Sequence, residues 1–126
     1  MTRRRILVVE DEELIRVVLA EVLADEGFHV VEAGSGDEAA GLLDGPDGFQ
    51  AVVTDIHMPG ARDGIAVGRH ARARDPGVPM VYVTGRLDAM AAAGPLGPGD
   101  ALLPKPYLPS QVLATLRRLL REPGGG

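Results

Sequence analysis

Five polar residues stand where short apolar runs of this sequence stop. Glu10 and Asp11 follow Ile6 to Val9, Asp55 follows Ala51 to Thr54, Thr84 follows Met80 to Val83, and Lys105 comes just after Ala101 to Leu103. Three carboxylates, a hydroxyl and an ammonium have a definite use if they meet. Carboxylates a few Å apart repel, by as much as ~4 kcal/mol for a pair at 4 Å with an effective dielectric near 20, so a bare cluster tends to hold a proton. A divalent cation lifts that penalty. Mg²⁺, which takes oxygen ligands octahedrally and usually keeps several waters, suits such a set. Taken singly, each residue also has an ordinary explanation. Glu10 to Glu13 suits a helix N-terminus through the macrodipole, and Asp55 with Met58-Pro59-Gly60 suits a turn. Thr84 is a β-former or local cap, and Lys105 between two prolines fits a solvated loop. The coincidence of all of them argues for a site.

The elements that must carry these residues alternate. Nearly continuous apolar runs at Ile6 to Val9, Phe28 to Val31, Ala51 to Thr54, Met80 to Val83 and Ala101 to Leu103 are the pattern of parallel strands buried on both faces. Helical periods lie between them. Glu12 to Glu26 places Ile15, Val18, Leu19, Val22 and Leu23 on one stripe, and Ser110 to Arg121 does the same with Val112, Leu113, Leu116, Leu119 and Leu120. Gly27 ends the first helix and Pro109-Ser110 starts the last. Asp37 to Leu43 and Asp63 to Arg74, with its stripe of Ile65, Gly68 and Ala71, complete the helices. Between Arg86 and Asp100 the glycines and prolines limit any helix to about two turns, so the fourth crossover helix is short or irregular. Strands alternating with helices give an α/β, doubly wound, five-stranded parallel sheet with helices on both faces. Such sheets bind ligands outside the carboxyl ends of their strands, where the five polar residues lie.

The strings Ile6-Leu7-Val8-Val9-Glu10-Asp11-Glu12, Val53-Thr54-Asp55-Ile56-His57-Met58-Pro59-Gly60, Val83-Thr84-Gly85 and Pro104-Lys105-Pro106-Tyr107 resemble the four signature blocks of the receiver domain of two-component response regulators. The likeness runs from about Arg5 to Arg121. It implies a CheY-like (flavodoxin-like) strand order of 2-1-3-4-5 and a phosphorylation-dependent switch. In that reading Asp55 is the phosphoacceptor. Asp11, Asp55 and the backbone carbonyl of His57 bind Mg²⁺ directly, and Glu10, where most relatives carry Asp, acts through water. Lys105 and Thr84 hold the phosphoryl oxygens, since phosphoryl transfer is catalysed mainly by positioning and electrostatics. The Lys105-Pro106 bond is cis in relatives. The implied partners are a sensor histidine kinase or phosphotransfer protein, which supplies phosphohistidine, and a downstream protein target. The implied class is a signalling switch that promotes its own phosphoryl transfer, not an enzyme.

Three departures from the family pattern stand out. Leu102 occupies the place of the usual switch aromatic on the fifth strand. The segment meant for the fourth crossover helix is rich in Gly and Pro, so the output is expected to use an order change of Ala89 to Gly99. The loop Met58-Pro59-Gly60-Ala61-Arg62-Asp63-Gly64 is one residue longer than the common motif, which should reshape it beside the site. His57 and Arg86 fall where the family tunes aspartyl-phosphate lifetime. Tyr82 and Tyr107 read as packing residues.

Bulk properties exclude several other classes. At 126 residues the chain fits a single domain, with a core of about 5–121 and a flexible tail at 122–126. A net charge of −5 gives no field that draws it to nucleic acid or to a membrane surface. No apolar run approaches spanning length, and the run after Arg3-Arg4-Arg5 is too short for a signal peptide. The absence of cysteine rules out disulfides and thiolate sites and fits a cytoplasmic location. An aspartyl phosphatase would place a second acid where His57 stands, and a flavodoxin-like carrier would want a Ser/Thr-rich loop where Glu10 and Asp11 stand. The remaining alternative is a receiver-like protein-interaction scaffold that is not phosphorylated.

Overall fold

A β-rich run flanked on both sides by helical crossovers has nowhere to put its side chains but into two apolar layers. In a computed structural model of the protein, which describes residues 3–86 and 97–121, five such runs form one parallel sheet. They are β1 (Arg5–Val9), β2 (His29–Ala33), β3 (Ala51–Asp55), β4 (Met80–Thr84) and β5 (Asp100–Pro104), in the order β2-β1-β3-β4-β5. The doubly wound sheet and its order are those expected. The described helices are α1 (Glu13–Asp25), α2 (Gly36–Leu43), α3 (Gly64–Arg74) and α4 (Pro109–Leu119). The short helix expected between Arg86 and Asp100, and most of Ala89 to Gly99, lie outside the described residues.

Successive strand side chains alternate between the two layers. Ile6, Val8, Val53, Val81 and Val83 meet Leu19 and Leu23 of α1 and Val112 and Leu116 of α4. Leu7, Val9, Val52, Met80 and Tyr82 meet Ala39 and Leu43 of α2 and Val67 and Ala71 of α3. Leu23 and Leu116 are completely buried, and each such side chain contributes about 1.5–3 kcal/mol relative to an exposed position.

Burial on both faces holds for β1, β3 and β4 but not at the edges. In β2, His29 and Glu32 are exposed, because an edge strand has a neighbour on one side only. On α1, Val18 is 43% exposed and Ala20 is buried instead, so the buried stripe is rotated from the expected one. On α3, Val67 is wholly buried while Ile65 is half-buried, since the helix approaches the sheet through its small residues. Gly68 makes that approach possible: a Cβ there would fall on the Tyr82 hydroxyl.

The helix ends follow from side chains at the turns. Ser35 Oγ accepts from Glu38 N at 3.1 Å while Glu38 Oε1 accepts from Gly34 N at 2.6 Å, which satisfies two otherwise unpaired N–H groups at the start of α2. Asp63 caps α3 by accepting from Ala66 N at 2.9 Å. Pro109 opens α4 at N1, and Gln111 Oε1 accepts from Leu108 N at 2.7 Å. Gly27, with φ +100, ends the first helix region in a left-handed turn that a side chain would strain.

Candidate functional site

The carboxyl ends of the five strands lie side by side, and main-chain bonds continue beyond the last paired residue between β1 and β2, β3 and β4, and β4 and β5. Ile56 N donates to Val83 O at 2.9 Å, Lys105 N to Thr84 O at 2.7 Å, and Glu10 N to Ala33 O at 3.1 Å. Three carboxylates meet there. One oxygen each from Glu10, Asp11 and Asp55 lies within 4.8 Å of the others. Glu10 and Asp55 are buried, at 3% and 4% exposure, whereas Asp11 is open to solvent. Lys105 Nζ lies 2.9 Å from Asp55 Oδ2 and 3.5 Å from Glu10 Oε2, and the Lys105-Pro106 bond is cis.

Two further residues of the expected set are at the same rim in different roles. His57 N donates to Asp55 Oδ1 at 3.3 Å, and its side chain is exposed. Thr84 is fully buried at the end of β4, and its hydroxyl is committed to the following turn: Oγ1 accepts from Arg86 N at 2.9 Å and donates to Arg86 O at 3.0 Å. Arg86 itself is exposed. The loop after Asp55 runs against the start of α2. Arg62 Nη1 pairs with Asp37 Oδ1 at 2.6 Å, and the Arg62 carbonyl sits where a Cβ on Gly36 would be.

Sequence reasoning missed three features. Glu10 Oε1 accepts from Glu12 N at 3.1 Å, so the buried acid also serves as a cap for the start of α1, where Glu12 makes no side-chain cap of its own. Arg16 of α1 donates through Nη1 to the Glu10 carbonyl at 3.0 Å. Gly64 lies so close to the Asp55 main chain that a Cβ would fall on the Asp55 carbonyl. Asp63-Gly64 at a helix start was a visible signal for the last; bonds to main-chain atoms leave none. Lys105 also borders an apolar groove of about 430 Å³ that includes Leu14, Val18 and Tyr107.

The electrostatics follow from one ammonium among three acids. Burial, reinforced by the Asp55 and Asp11 charges, pushes the Glu10 carboxyl up to about 7 against the opposing pull of the Glu12 N–H and Lys105. Burial disfavours the Lys105 charge, but its bond to Asp55 and the charges of Asp55 and Glu10 outweigh that and raise its pKa. Burial, then the Glu10 charge, pushes the Tyr107 hydroxyl up to about 12.

A pH dependence follows. The Glu10 pKa is higher in the fold than its ordinary 4.5, so the folded state takes up a proton that the unfolded chain does not hold. That contribution is complete below the unfolded pKa and is lost as pH rises through the folded one. Without divalent cations, urea unfolding should give stability rising by about 1–3 kcal/mol from pH ~8 to pH ~5, at ~1.4 kcal/mol for each pH unit that separates the folded and unfolded pKa. In Glu10→Gln that slope should flatten; equal slopes in both proteins would refute the assignment.

A doubly wound parallel sheet with acids and a lysine gathered at its carboxyl edge is the arrangement expected of a receiver domain, and comparison with known proteins agrees. Residues 6–117 match the response regulator receiver domain family, and the chain belongs to it. It is 38% identical over 121 residues to the response regulator MprA of Mycolicibacterium vanbaalenii, covering 94% of this chain and 51% of that protein. It is 38% identical over 119 residues to the transcriptional regulatory protein YrkP of Bacillus subtilis, covering 90% of this chain and 50% of the relative. The chain thus spans about half the length of these curated relatives. Among solved structures, a response regulator receiver protein from Sinorhizobium medicae superposes with a TM-score of 0.86 at 33% identity, over 94% of each chain. A CheY-like receiver domain protein from Methanospirillum hungatei gives 0.82 at 27% identity, also over 94% of each.

Proposed function

We propose that this chain is the phosphoryl-accepting receiver of a two-component phosphorelay, with Asp55 as the acceptor. The observation that carries the reading is the buried Asp55 carboxylate, 2.9 Å from Lys105 and gathered with Glu10 and Asp11. A protein-interaction scaffold has no use for two buried acids that repel each other, and burying them costs stability that Lys105 offsets in part and a bound cation or a proton would offset further. The donor set consists of carboxylate oxygens, which suits a hard cation such as Mg²⁺. Asp11, Asp55 and the His57 carbonyl would hold it, with Glu10 acting through water. Bound there, it supplies charge neutralisation for the incoming phosphoryl group.

The donor is a phosphohistidine of a sensor histidine kinase or phosphotransfer protein. An Asp55 oxygen attacks phosphorus, the O–P bond forms as the P–N bond breaks, and the imidazole leaves with the electron pair. Lys105 then exchanges its Asp55 oxygen for a phosphoryl oxygen. The Thr84 hydroxyl gives up its Arg86 partners to donate to another. The exchange changes the surface presented to a downstream protein target. The net charge of −5 favours a protein target over direct nucleic-acid contact, and no helix among the described residues is long and apolar enough to cross a membrane. A cytoplasmic location belongs to the same reading.

Intact mass after incubation with Mg²⁺ and acetyl phosphate tests it. Wild type should gain a single phosphoryl group, and Asp55→Ala none. Uptake by both proteins, or by neither, would overturn the assignment of Asp55.

A further inference from the structure

The main chain between Glu10 and Asp11 carries two of the three acids, yet among the described residues no main-chain bond fixes it beyond the one from Glu10 N to Ala33 O of β2. One side chain does. Arg16, a turn into α1 and 18% exposed, reaches back so that Nη1 donates to the Glu10 carbonyl at 3.0 Å. Its Nε pairs with Glu32 Oε1 of β2 at 3.1 Å, so the planar fork is oriented by an anion on a second strand. The space it fills is bounded by the turn after β2: a Cβ on Gly34 would stand 3.1 Å from Nη1. Gly34 is itself fixed, because its N–H donates to Glu38 Oε1 at 2.6 Å. A rigid guanidinium therefore joins α1, the end of β1 and the end of β2 at the peptide that presents both acids.

We infer that Arg16 is a positioning residue for the acid pair, holding the Glu10–Asp11 peptide so that both carboxylates face Asp55 and the cation of the proposed reading. The inference rests on that reading for the cation but not for the main-chain contact. A lysine at this place reaches the carbonyl but cannot bond Glu32 from the same plane, so Arg16→Lys should act between wild type and alanine. Glu32→Ala removes the orienting partner and keeps the carbonyl bond, which separates fixing the peptide from merely joining α1 to β2.

The test is Mg²⁺ titration of the whole chain followed by calorimetry and by amide NMR, with urea unfolding in parallel. Arg16→Ala should weaken Mg²⁺ about tenfold, the size found when groups that orient metal ligands are removed. Arg16→Lys should lose less, and Glu32→Ala less than about twofold. Without Mg²⁺, Arg16→Ala should shift the amide signals of Asp11 and Glu12 and Glu32→Ala should not. Should Arg16→Ala lose stability while its Mg²⁺ affinity and these amides match wild type, Arg16 is a structural link only and the inference falls. If wild type itself binds no Mg²⁺, the cation reading fails, and the metal-free amides then decide the Arg16 contact alone.

Discussion

Gly64→Ala is expected to destabilise the fold by roughly 3 kcal/mol, the upper range for overpacking a site that cannot relax. The added Cβ would fall on the Asp55 carbonyl oxygen and stand 2.7 Å from the Ile56 Cα, and both are main-chain atoms. Neither can rotate away. Gly64 N also donates to Ile56 O at 2.8 Å, so the glycine is bonded to the segment it would push. Alanine at the first position of α3 gains about 1 kcal/mol of helix propensity, which the collision outweighs. Because the displaced segment carries Asp55, acetyl phosphate labelling of the variant that remains folded should also slow. A urea midpoint within error of wild type at unchanged m-value would show that the helix start yields freely.

Lys105→Ala is expected to slow phosphoryl uptake by roughly 10²–10³, the loss seen when one preorganised donor to a developing anion is removed. Lys105 is the cation in contact with Asp55 and Glu10, so its loss also leaves two buried acids with less compensation. Their answer is to hold a proton: the Glu10 carboxyl, already pushed up to about 7, should rise further. Stability in cation-free buffer near neutral pH should therefore fall less than the labelling rate, since protonation relieves the first and not the second. Lys105→Arg keeps the charge on a planar fork and should recover only part of the rate. A labelling rate in Lys105→Ala within about threefold of wild type would remove Lys105 from the reaction.

Much of this architecture was legible because parallel strands advertise themselves. The runs from Ile6, Ala51 and Met80 are nearly uninterrupted, and polar residues mark where they end, so the gathering of Glu10, Asp11, Asp55 and Lys105 at one edge followed from topology. What the pattern hid was geometry at right angles to the chain. Exposure of His29 and Glu32 depends on β2 lying at an edge, a property of the neighbours and not of the run. Val67 escaped because a stripe drawn through Ile65 assumes that the bulkiest residue points inward. Here Gly64, Gly68 and Ala71 draw the helix close, and Val67 fills the middle of the contact. The Thr84 hydroxyl serves the Arg86 main chain in this structure, a partnership that residue type alone does not reveal. Arg16 left no mark because its partner is a carbonyl that every residue possesses.

The alternation of β1 between its two apolar layers has a consequence for fidelity. Val8 answers to α1 and α4, Val9 to α2 and α3, and the acids come immediately afterwards. A slip of the strand by a single position would hand each layer the wrong side chains and turn Glu10 and Asp11 away in the same movement. Misassembly of the interior and ruin of the acid cluster are thus one event, so the fold proofreads its own chemistry: a molecule stable enough to persist has already aimed its carboxylates.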